Sequence, residues 1–486
     1  MINRLLSEVK PSEGEDEGKP ERGKLHRLFN SQTKTVTQAA IILAISTLIS
    51  RFLGLIRQWL LADRFGAGLV LDIYLAGFRI PDFIYNILIV GGIVVTFLPL
   101  FSEYFSEDED KAWQFTSNVI NVFFFLLVLI SLLFFIFTPQ ILKWIVPGFS
   151  EAARIQSVEL ARLMLLSPMF LGLSSIFSGV LHHFNRFLIY GLCPILYNLG
   201  IIFGIVFLSP DLGVLGISLG VVLGAFLHLA IQVPAAINSG FKYQPIFNFQ
   251  APGIKRIFKL MFPRVFGMAA QQINLIVITA IASTLAKGSI AIFNFANNLQ
   301  YLPIGIIGVS FATAAFPKFT QLQANGERKE FMSRLKSIFF KILYLIIPTS
   351  FLIFIFRNQI VNIVLQHGQF SQVSAQLTSA SLGIFCLGLW ASALIPLILR
   401  GFFALQDTKT PTLIAVLTVL LNVGLSFGFV SLLGTNSRLW FWLVKIFNLG
   451  AIYDIRILGL VLAFSASAIF QFILSIIFLK KKSETV

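Results

Sequence analysis

Five ionisable residues stand in the first two long apolar stretches of the chain. They are Arg51, Arg57, Asp72, Arg79 and Asp82. A charge at the centre of a bilayer costs roughly 2.5–3.5 kcal/mol on insertion scales, so charges retained there indicate a polar function. A guanidinium presents forked donors that match phosphate oxygens. Since three cations face only two carboxylates, the pattern favours a water-filled cavity that binds an anionic group such as a diphosphate.

The alternative is internal ion pairing without a ligand. Asp72 and Arg79 are seven residues apart and therefore share one face of a helix, and Asp82 lies three residues beyond Arg79. In this interpretation the carboxylates only neutralise Arg79. Pro81 lies among them and frees a backbone carbonyl, which predicts a kink in the helix.

Other kinds of chemistry have little support in the sequence. His182 and His183 fall at a predicted helix end, where basic residues suit the helix dipole and lipid headgroups, so we predict no metal site there. Neither a GxxxxGK[ST] loop nor an HExxH motif is present. We therefore predict no catalytic residue, no cofactor and no enzymatic activity. Cys193 and Cys386 lie in apolar runs and are typical of buried small side chains.

The elements that hold these residues are predicted to be membrane-spanning helices. Hydrophobic residues make up 56% of the 486 and charged residues only 12%, against about 25% in soluble domains. Apolar runs near or above the length that a bilayer demands recur between polar breaks, which predicts an all-α polytopic membrane protein of about twelve helices. The predicted helices cover 36–62, 68–104, 113–141, 152–182, 187–209, 212–238, 256–285, 288–320, 333–357, 374–404, 411–433 and 455–480.

The two halves of the chain resemble each other. Phe149-Ser150 recurs as Phe370-Ser371, and at the same offset of 221 residues Asn185-Arg186 matches Gln406-Asp407. Residues 97–102 similarly echo residues 315–320. We predict two six-helix lobes related by a parallel pseudo-repeat, with a V-shaped cavity and substrate between them. The predicted divisions are a disordered cytosolic tail at 1–35, an N-terminal lobe at 36–240, a cytosolic connector at 241–255 and a C-terminal lobe at 256–482.

The distribution of positive charge predicts the orientation. The net charge is +15, and the Lys and Arg residues concentrate on one set of alternate loops, which by the positive-inside rule is cytosolic. Both termini are then cytosolic, and binding to nucleic acid is not predicted. Residues 435–454 form a longer external loop, in which Trp440 and Trp442 would lie at the lipid interface.

Several motifs resemble the MurJ/MviN family, the lipid II flippases of peptidoglycan synthesis within the multidrug/oligosaccharidyl-lipid/polysaccharide exporter superfamily. The motifs are Ser50-Arg-Phe-Leu-Gly-Leu-Ile-Arg57, Phe65-Gly-Ala-Gly68, Phe78-Arg-Ile-Pro-Asp82, Pro147-Gly-Phe149 and Leu405-Gln-Asp-Thr-Lys-Thr-Pro411. The resemblance implies a flippase that carries a polyprenyl-diphosphate-linked saccharide across the bilayer by alternating access. It implies substrate-binding roles for Ser50, Arg51, Arg57 and Asp72, while Arg79 stands where the family often has lysine and Asp82 completes the group.

The chain departs from the family pattern, which makes it a divergent member. Positions where the family has a functional charge hold Gln58, Tyr85, Val90, Ile278 and Asn298 in this chain. The resemblance suggests that Arg264 supplies a compensating charge. Family members often have fourteen helices, whereas this sequence predicts twelve.

Rival functions remain open at this point. The chain could be a flippase for another lipid-linked polysaccharide, because two arginines of the family pattern are absent at Tyr85 and Asn298. The same loss is the best support for a degenerate membrane scaffold that does not transport. An exporter of cationic drugs is disfavoured by the three arginines, and a membrane-embedded transferase lacks a plausible acid, base or metal cluster.

Overall fold

The computed structural model describes residues 33–485 apart from 34, 436 and 451. The predicted tail at 1–35 therefore lies almost wholly outside the described residues. Within them eleven helices are long and apolar enough to cross a membrane, and a twelfth is counted if the two parts of a helix broken between Phe262 and Gly267 form one span. The prediction of an all-α membrane protein with about twelve spans is confirmed.

Between Val36 and Ile237, within the described residues, the chain forms ten α-helices, several of which join end to end within one span. They are α1 Val36–Phe65, α2 Leu69–Ile84, α3 Val94–Glu107, α4 Glu109–Ile145, α5 Glu151–Met164, α6 Leu166–His183, α7 Phe187–Phe203, α8 Ser209–Leu212, α9 Val214–Ala230 and α10 Gln232–Ile237.

The described residues of the second half form eight α-helices. They are α11 Pro252–Ser283, α12 Ser289–Pro303, α13 Ser310–Ala324, α14 Arg328–Val364, α15 Gln372–Ala404, α16 Lys409–Leu433, α17 Arg438–Phe447 and α18 Ile457–Thr485. Helix α17 lies in the segment that the sequence analysis describes as a loop. Ser437 caps it, because its hydroxyl accepts a hydrogen bond from the backbone N–H of Trp440.

Two π-helical stretches occupy matching places in the two halves. Tyr85–Ile93 joins α2 to α3, and Ile304–Val309 joins α12 to α13. Pro81 lies four residues before the first stretch and Pro303 directly before the second. A proline removes one backbone donor, and π-type bonding is one of the ways in which a helix accommodates such an interruption. Helix α2 continues through Pro81 to Ile84 before the π-helical stretch begins, and the kink at Pro81 stays a prediction.

The backbone supports the internal repeat more closely than the sequence does. Asn185 and Gln406 both adopt the left-handed conformation, with φ of 54° and 55°, at the ends of α6 and α15. Each is followed by the same helix-ending hydrogen bond, from the N–H of Arg186 to Leu181 in one half and from the N–H of Asp407 to Phe402 in the other. Non-glycine residues rarely take this conformation, so its recurrence 221 residues later is unlike chance similarity between apolar helices.

A second pair of positions repeats in the same way. The Ser150 hydroxyl accepts a hydrogen bond from the N–H of Ala153, and the Ser371 hydroxyl accepts one from the N–H of Ser374. Both serines therefore cap the helix that follows them, α5 and α15, by satisfying a backbone donor of its first turn. The offset is again 221 residues.

The chain forms two compact units. Unit 1 contains the described residues up to Leu60 together with Gly77–Gln140 and Ser157–Val265, and unit 2 contains Leu61–Ala76, Ile141–Gln156 and the chain from Phe266 onward. Most of the predicted N-terminal lobe falls in unit 1 and most of the C-terminal lobe in unit 2. Two short segments of the first half, at the ends of α1, α2, α4 and α5, belong to unit 2.

Each unit has an aromatic core. In unit 1 the buried rings of Phe97 and Phe101 pack between α3, α4 and α6. In unit 2 the buried rings of Phe319, Phe331 and Phe402 pack between α13, α14 and α15. By contrast, the middle of α4 and of α14 exposes many apolar side chains, as expected for surfaces that face lipid.

The connector between the halves is ordered. Residues 238–251 contain no helix, and α11 begins at Pro252, slightly before the predicted end of the connector. Asn118 of α4 makes two reciprocal hydrogen bonds with the backbone of Asn248, at 2.9 and 2.7 Å. Asn121 donates to the carbonyl of Ile246 at 2.8 Å. Side chains of α4 therefore satisfy backbone groups that have no helical partner.

Candidate functional site

Arg51 and Arg57 lie in the second half of α1 and are both half-buried. Their neighbours Phe52 and Trp59 are exposed, as expected for residues that contact lipid. In the part of the chain that the structure describes, no carboxylate forms an ion pair with either arginine. Two cations held within a span without a protein counter-charge are suited to binding an anionic ligand.

Ser50, next to Arg51, is held by α7. The side-chain amide of Asn198 donates to the Ser50 hydroxyl at 3.2 Å and to its carbonyl at 3.4 Å. The same amide donates to the carbonyl of Pro194, 2.9 Å away. Asn198 therefore links α1 to α7 and fixes the backbone beside Arg51.

Arg79 and Asp82 of α2 form the second group of charges in unit 1. The two side chains attract each other electrostatically. Asp82 is also bonded to Asn86, whose amide donates to the carboxylate and to the carbonyl of Asp82, each at 2.9 Å. Tyr85, at a position where the family has arginine, interacts with Asp82 as well. The carboxylate of Asp82 therefore attracts Arg79 and accepts a hydrogen bond from Asn86.

Asp72 has a role that the sequence analysis does not foresee. Its carboxylate accepts a hydrogen bond from the N–H of Gly288 at 2.6 Å and another from the N–H of Ala291 at 2.8 Å. These donors belong to the start of α12, where unpaired N–H groups and the helix dipole favour an anion. Asp72 is only 3% exposed. It therefore caps a helix that lies 216 residues later in the chain.

Further bonds join the same parts of unit 2. The N–H of Gln369 donates to the carbonyl of Asp63 at 2.8 Å, and the N–H of Gly148 donates to the hydroxyl of Ser283 at 3.2 Å. Gly288 lies against the carbonyl of Ala67 so closely that a side chain would clash there. We call these segments, residues 63–72, 146–150, 283–291 and 366–371, the collar. Its bonds explain why two segments of the first half belong to unit 2.

The other residues singled out from the sequence lie apart from these groups. Arg264 is exposed and stands at the break in α11. Asn298 is exposed on α12, and Gln58 and Val90 are half-buried. Ile278, at the position of an acidic residue in some family members, is 1% exposed and belongs to the packed interior of unit 2. An apolar side chain there leaves no carboxylate to bind a cation.

Sequence reasoning missed two arginines within spans. Arg357 of α14 lies over the rings of Phe354 and Phe447, at 4.7 and 5.1 Å from their centroids. Arg400 of α15 lies 4.9 Å from the centroid of Phe316. A lone arginine inside an apolar run is the signal that would have found both. Aromatic faces partly compensate such cations where carboxylates are absent.

One short sequence pattern has the spacing of a hydrolase nucleophile but the wrong setting. Gly216-Ile-Ser218-Leu-Gly220 lies inside α9. The Ser218 hydroxyl donates to the carbonyl of Val214 at 3.2 Å, Gly216 packs against the backbone of Leu208 and Ser209, and Gly220 packs against that of Gly200 and Gly204. A nucleophile of this type stands on a strand-to-helix turn, so Ser218 is a packing residue.

A charged residue at each of the two repeated helix ends makes contacts within its own half of the chain. Arg186 donates to the carbonyl of Asn238 at 2.9 Å, and burial lowers the pKa of its guanidinium. Its counterpart Asp407 forms an ion pair with Lys482 and accepts two backbone bonds and a hydroxyl bond at the start of α16. Burial alone would raise the pKa of Asp407, but the bonds from Lys482 and Thr410 outweigh it and hold that pKa below its ordinary value.

Metal binding finds no support in the described residues. No group of three or more His, Cys, Asp or Glu side chains within the described ranges is arranged to hold an ion. His183 shares a hydrogen bond with Ser102 at 2.9 Å and packs among aromatic rings at the end of α6.

Comparison with known proteins gives a consistent result. A sequence model of the family described as "Lipid II flippase MurJ" matches residues 61–486. The "Probable lipid II flippase MurJ" of Buchnera aphidicola subsp. Acyrthosiphon pisum is 31% identical over 389 residues, which cover 79% of this chain and 76% of the relative. That of Borreliella burgdorferi is 31% identical over 399 residues, covering 82% and 79%.

Solved structures agree. A structure described as "Lipid II flippase MurJ, inward closed conformation" superposes with a TM-score of 0.75 at 26% identity, covering 90% of this chain and 87% of that one. An inward-facing multidrug resistance MATE family transporter superposes with a TM-score of 0.69 at 15% identity, covering 92% and 99%. The second likeness concerns the fold alone.

Proposed function

The chain belongs to the MurJ lipid II flippase family, and we propose that it moves lipid II, a polyprenyl-diphosphate-linked saccharide, from the cytosolic to the outer leaflet. The observation that carries this proposal is the family match over residues 61–486. The match begins after α1 residues Arg51 and Arg57, so their roles rest on their own chemistry and on the motif around them. Transport by this family is not a catalysed bond change, which agrees with the lack of a catalytic motif.

We propose that Arg51, Arg57 and Arg79 bind the diphosphate. The two arginines of α1 are half-buried without an acidic partner among the described residues, which supports their availability for a ligand. Planar guanidinium groups can each give two parallel bonds to phosphate oxygens. Asp82 would hold Arg79 in place. Its negative charge would also weaken the attraction between Arg79 and the diphosphate, so that the diphosphate can dissociate. Ser50, fixed by Asn198, would add a hydroxyl beside Arg51.

The collar would hold its four segments together as a rigid part of unit 2. Four hydrogen bonds join its segments: two to Asp72, one between Gln369 and Asp63, and one between Gly148 and Ser283. Each contributes about 0.5–1.5 kcal/mol net, and bonds to a charged group contribute about 1.5–3 kcal/mol. Together these bonds contribute several kcal/mol to holding the two segments of the first half in unit 2.

The orientation follows from the charge distribution. Positively charged residues concentrate at the ends of spans where the connector at 238–251 and the C-terminus lie. By the positive-inside rule this side is cytosolic, in a bacterial inner membrane, and the collar then lies on the outer side. Reporter tags inserted in the connector and fused to the C-terminus should both report the cytosol. A periplasmic report at either place would contradict this topology.

A second substrate deserves a test because of two substitutions. Tyr85 and Asn298 stand where the family pattern has arginines, and Tyr85 interacts with Asp82. The loss of two cations reduces the attraction for a diphosphate. The tyrosine hydroxyl and the asparagine amide that replace them are hydrogen-bonding groups suited to a saccharide. A flippase for another polyprenyl-diphosphate-linked polysaccharide is therefore the second candidate, with the same arginines binding the same diphosphate.

The deciding experiment is rescue of a bacterium depleted of its own lipid II flippase. Expression of this chain should restore growth and the appearance of lipid II in the outer leaflet. A variant with Arg51→Gln and Arg57→Gln should reach the membrane in equal amount without rescue. If the wild-type chain reaches the membrane but does not rescue, reconstituted vesicles containing either lipid II or another polyprenyl-diphosphate saccharide separate the two candidates. Transport of neither lipid would contradict the flippase proposal.

A further inference from the structure

Helix α17, Arg438–Phe447, presents a mixed basic and aromatic face that no part of the proposed transport mechanism uses. Phe441, Trp442 and Ile446 on this face are 57%, 69% and 46% exposed. Arg438 and Lys445 are also exposed, and a separation of seven residues puts them on the same side of the helix. The two cations therefore lie between Phe441 on one flank and Trp442 and Ile446 on the other.

The opposite face of α17 is docked on unit 2. Leu443 is 7% exposed. The ring of Phe447 lies 5.1 Å from the guanidinium carbon of Arg357 and 6.4 Å from the ring of Phe354, both on α14. Gly383 of α15 leaves the space that Phe447 and Arg357 fill, because a side chain at that position would collide with both. The exposed face is thus oriented by specific packing.

The position of α17 along the chain places it at the membrane surface. It lies between two spans, Lys409–Leu433 and Ile457–Lys482, and short connectors join it to both. An amphipathic helix at such a boundary lies in the plane of the interface with its aromatic residues among the headgroups. The exposed apolar side chains of α17 are accordingly suited to lipid rather than to water.

We propose that the exposed face of α17 binds the headgroups of anionic phospholipids in the leaflet where α16 ends. Charge complementarity supports this occupant, since the face carries two cations and no acidic residue. The nearest carboxylate along the chain after the helix, Asp454, is paired with Arg456 at 2.7 Å. Long basic side chains reach phosphate groups while their methylene stems lie against apolar neighbours. Each Lys or Arg near an anionic surface contributes about 1 kcal/mol.

Photo-crosslinking of the full chain in lipid nanodiscs tests the proposal. Matched nanodiscs contain trace amounts of photoreactive phosphatidylglycerol or photoreactive phosphatidylcholine, and the labelled residues are mapped by mass spectrometry. We expect labelling of the α17 peptide to favour phosphatidylglycerol. In a variant with Arg438→Gln and Lys445→Gln, that preference should fall by up to about 30-fold at low ionic strength, since two charges contribute about 2 kcal/mol and 1.36 kcal/mol is tenfold.

Two further variants separate charge from folding. Exchange of Arg438→Lys and Lys445→Arg keeps both cations and should retain the preference for phosphatidylglycerol. Lys329→Gln with Lys336→Gln, an exposed pair with the same spacing on α14, should leave labelling of α17 unchanged. Raised salt should weaken the preference by screening. The proposal would be overturned if the two lipids labelled the wild type equally, or if the preference survived the loss of both charges. Weak labelling by both lipids would also overturn it and would indicate that a protein partner covers this face.

Discussion

The carboxylate of Asp72 and the backbone N–H of Gly288 are joined by a hydrogen bond of 2.6 Å across 216 residues of sequence. Gly288 precedes the first residue of α12 and has a φ of 89°, a backbone conformation that favours glycine. With the bond to Ala291, the same carboxylate satisfies two donors that α12 cannot pair internally. One acidic residue thereby holds the beginning of the second half's second span against the beginning of α2.

The first prediction concerns this cap. Asp72→Asn should lower the free energy of unfolding by about 1.5–3 kcal/mol, because it weakens two bonds made by a charged acceptor. Asp72→Ala should lower the free energy of unfolding by at least as much, since it leaves buried N–H groups unpaired. Asp211→Asn, at an exposed position on α8, is the matched control and should change little. Thermal unfolding in detergent measures the difference, and equal midpoints for Asp72→Asn and Asp211→Asn would exclude a stabilising cap.

The sequence predicts the membrane spans well. It does not predict the contact between Asp72 and the start of α12. Apolar runs and polar breaks locate the helices within several residues, because the bilayer imposes both a length and a composition. The distance from Asp72 to α12 is instead set by how separate helices pack, and a single carboxylate carries no sign of which helix end it will face. Helix periodicity suggests Asp72 as a neutraliser of Arg79, whereas the structure shows its carboxylate bonded to the N–H groups of Gly288 and Ala291.

The second prediction concerns the arginines of α1. Arg51→Gln and Arg57→Gln should each reduce transport strongly while the protein still inserts, since removing a charge from a span eases insertion. Arg→Lys at either position should retain only part of the activity, because an ammonium cannot give the bidentate bonds of a guanidinium. Lys336→Gln, exposed on α14, serves as the control. Wild-type transport by both glutamine variants would remove α1 from the binding site.

The third prediction concerns pH. The pKa of Asp407 lies below its ordinary value in the folded protein, so its ion pair with Lys482 stabilises the fold at pH values above that ordinary value, about 3.9. This contribution is lost as the pH falls through the folded-state pKa. Thermal midpoints of wild type and Asp407→Asn should therefore differ most near neutral pH and converge in acid. A difference that is independent of pH would mean that the charge of Asp407 contributes nothing.

The fourth prediction tests the left-handed residue before Asp407. Gln406 has a φ of 55°, a conformation that costs a side chain with a Cβ roughly 1–2 kcal/mol. Gln406→Gly should therefore stabilise the protein slightly, and Gln406→Val should destabilise it, because a branched side chain tolerates this conformation least. The corresponding changes at Asn185 should follow the same order if the two halves are a true repeat. Opposite orders at the two positions, measured by thermal unfolding, would contradict the structural equivalence.

The last prediction separates ligand binding from ion pairing at Arg79 and Asp82. The single variants Arg79→Gln and Asp82→Asn each leave one partly buried charge without its partner, which is costly, whereas removing both charges together is often close to neutral. If the pair is only structural, the double variant should regain both stability and transport. If Arg79 binds the diphosphate, the double variant should fold as well as the wild type but remain inactive.

We expect the double variant to fold but remain inactive, because Asp82 is also bonded to Asn86 and does not depend on Arg79 for its position. Stability is measured by thermal unfolding and transport by the lipid precursor that becomes accessible outside. Normal transport by a folded double variant would leave Arg51 and Arg57 as the only arginines in the proposed binding site.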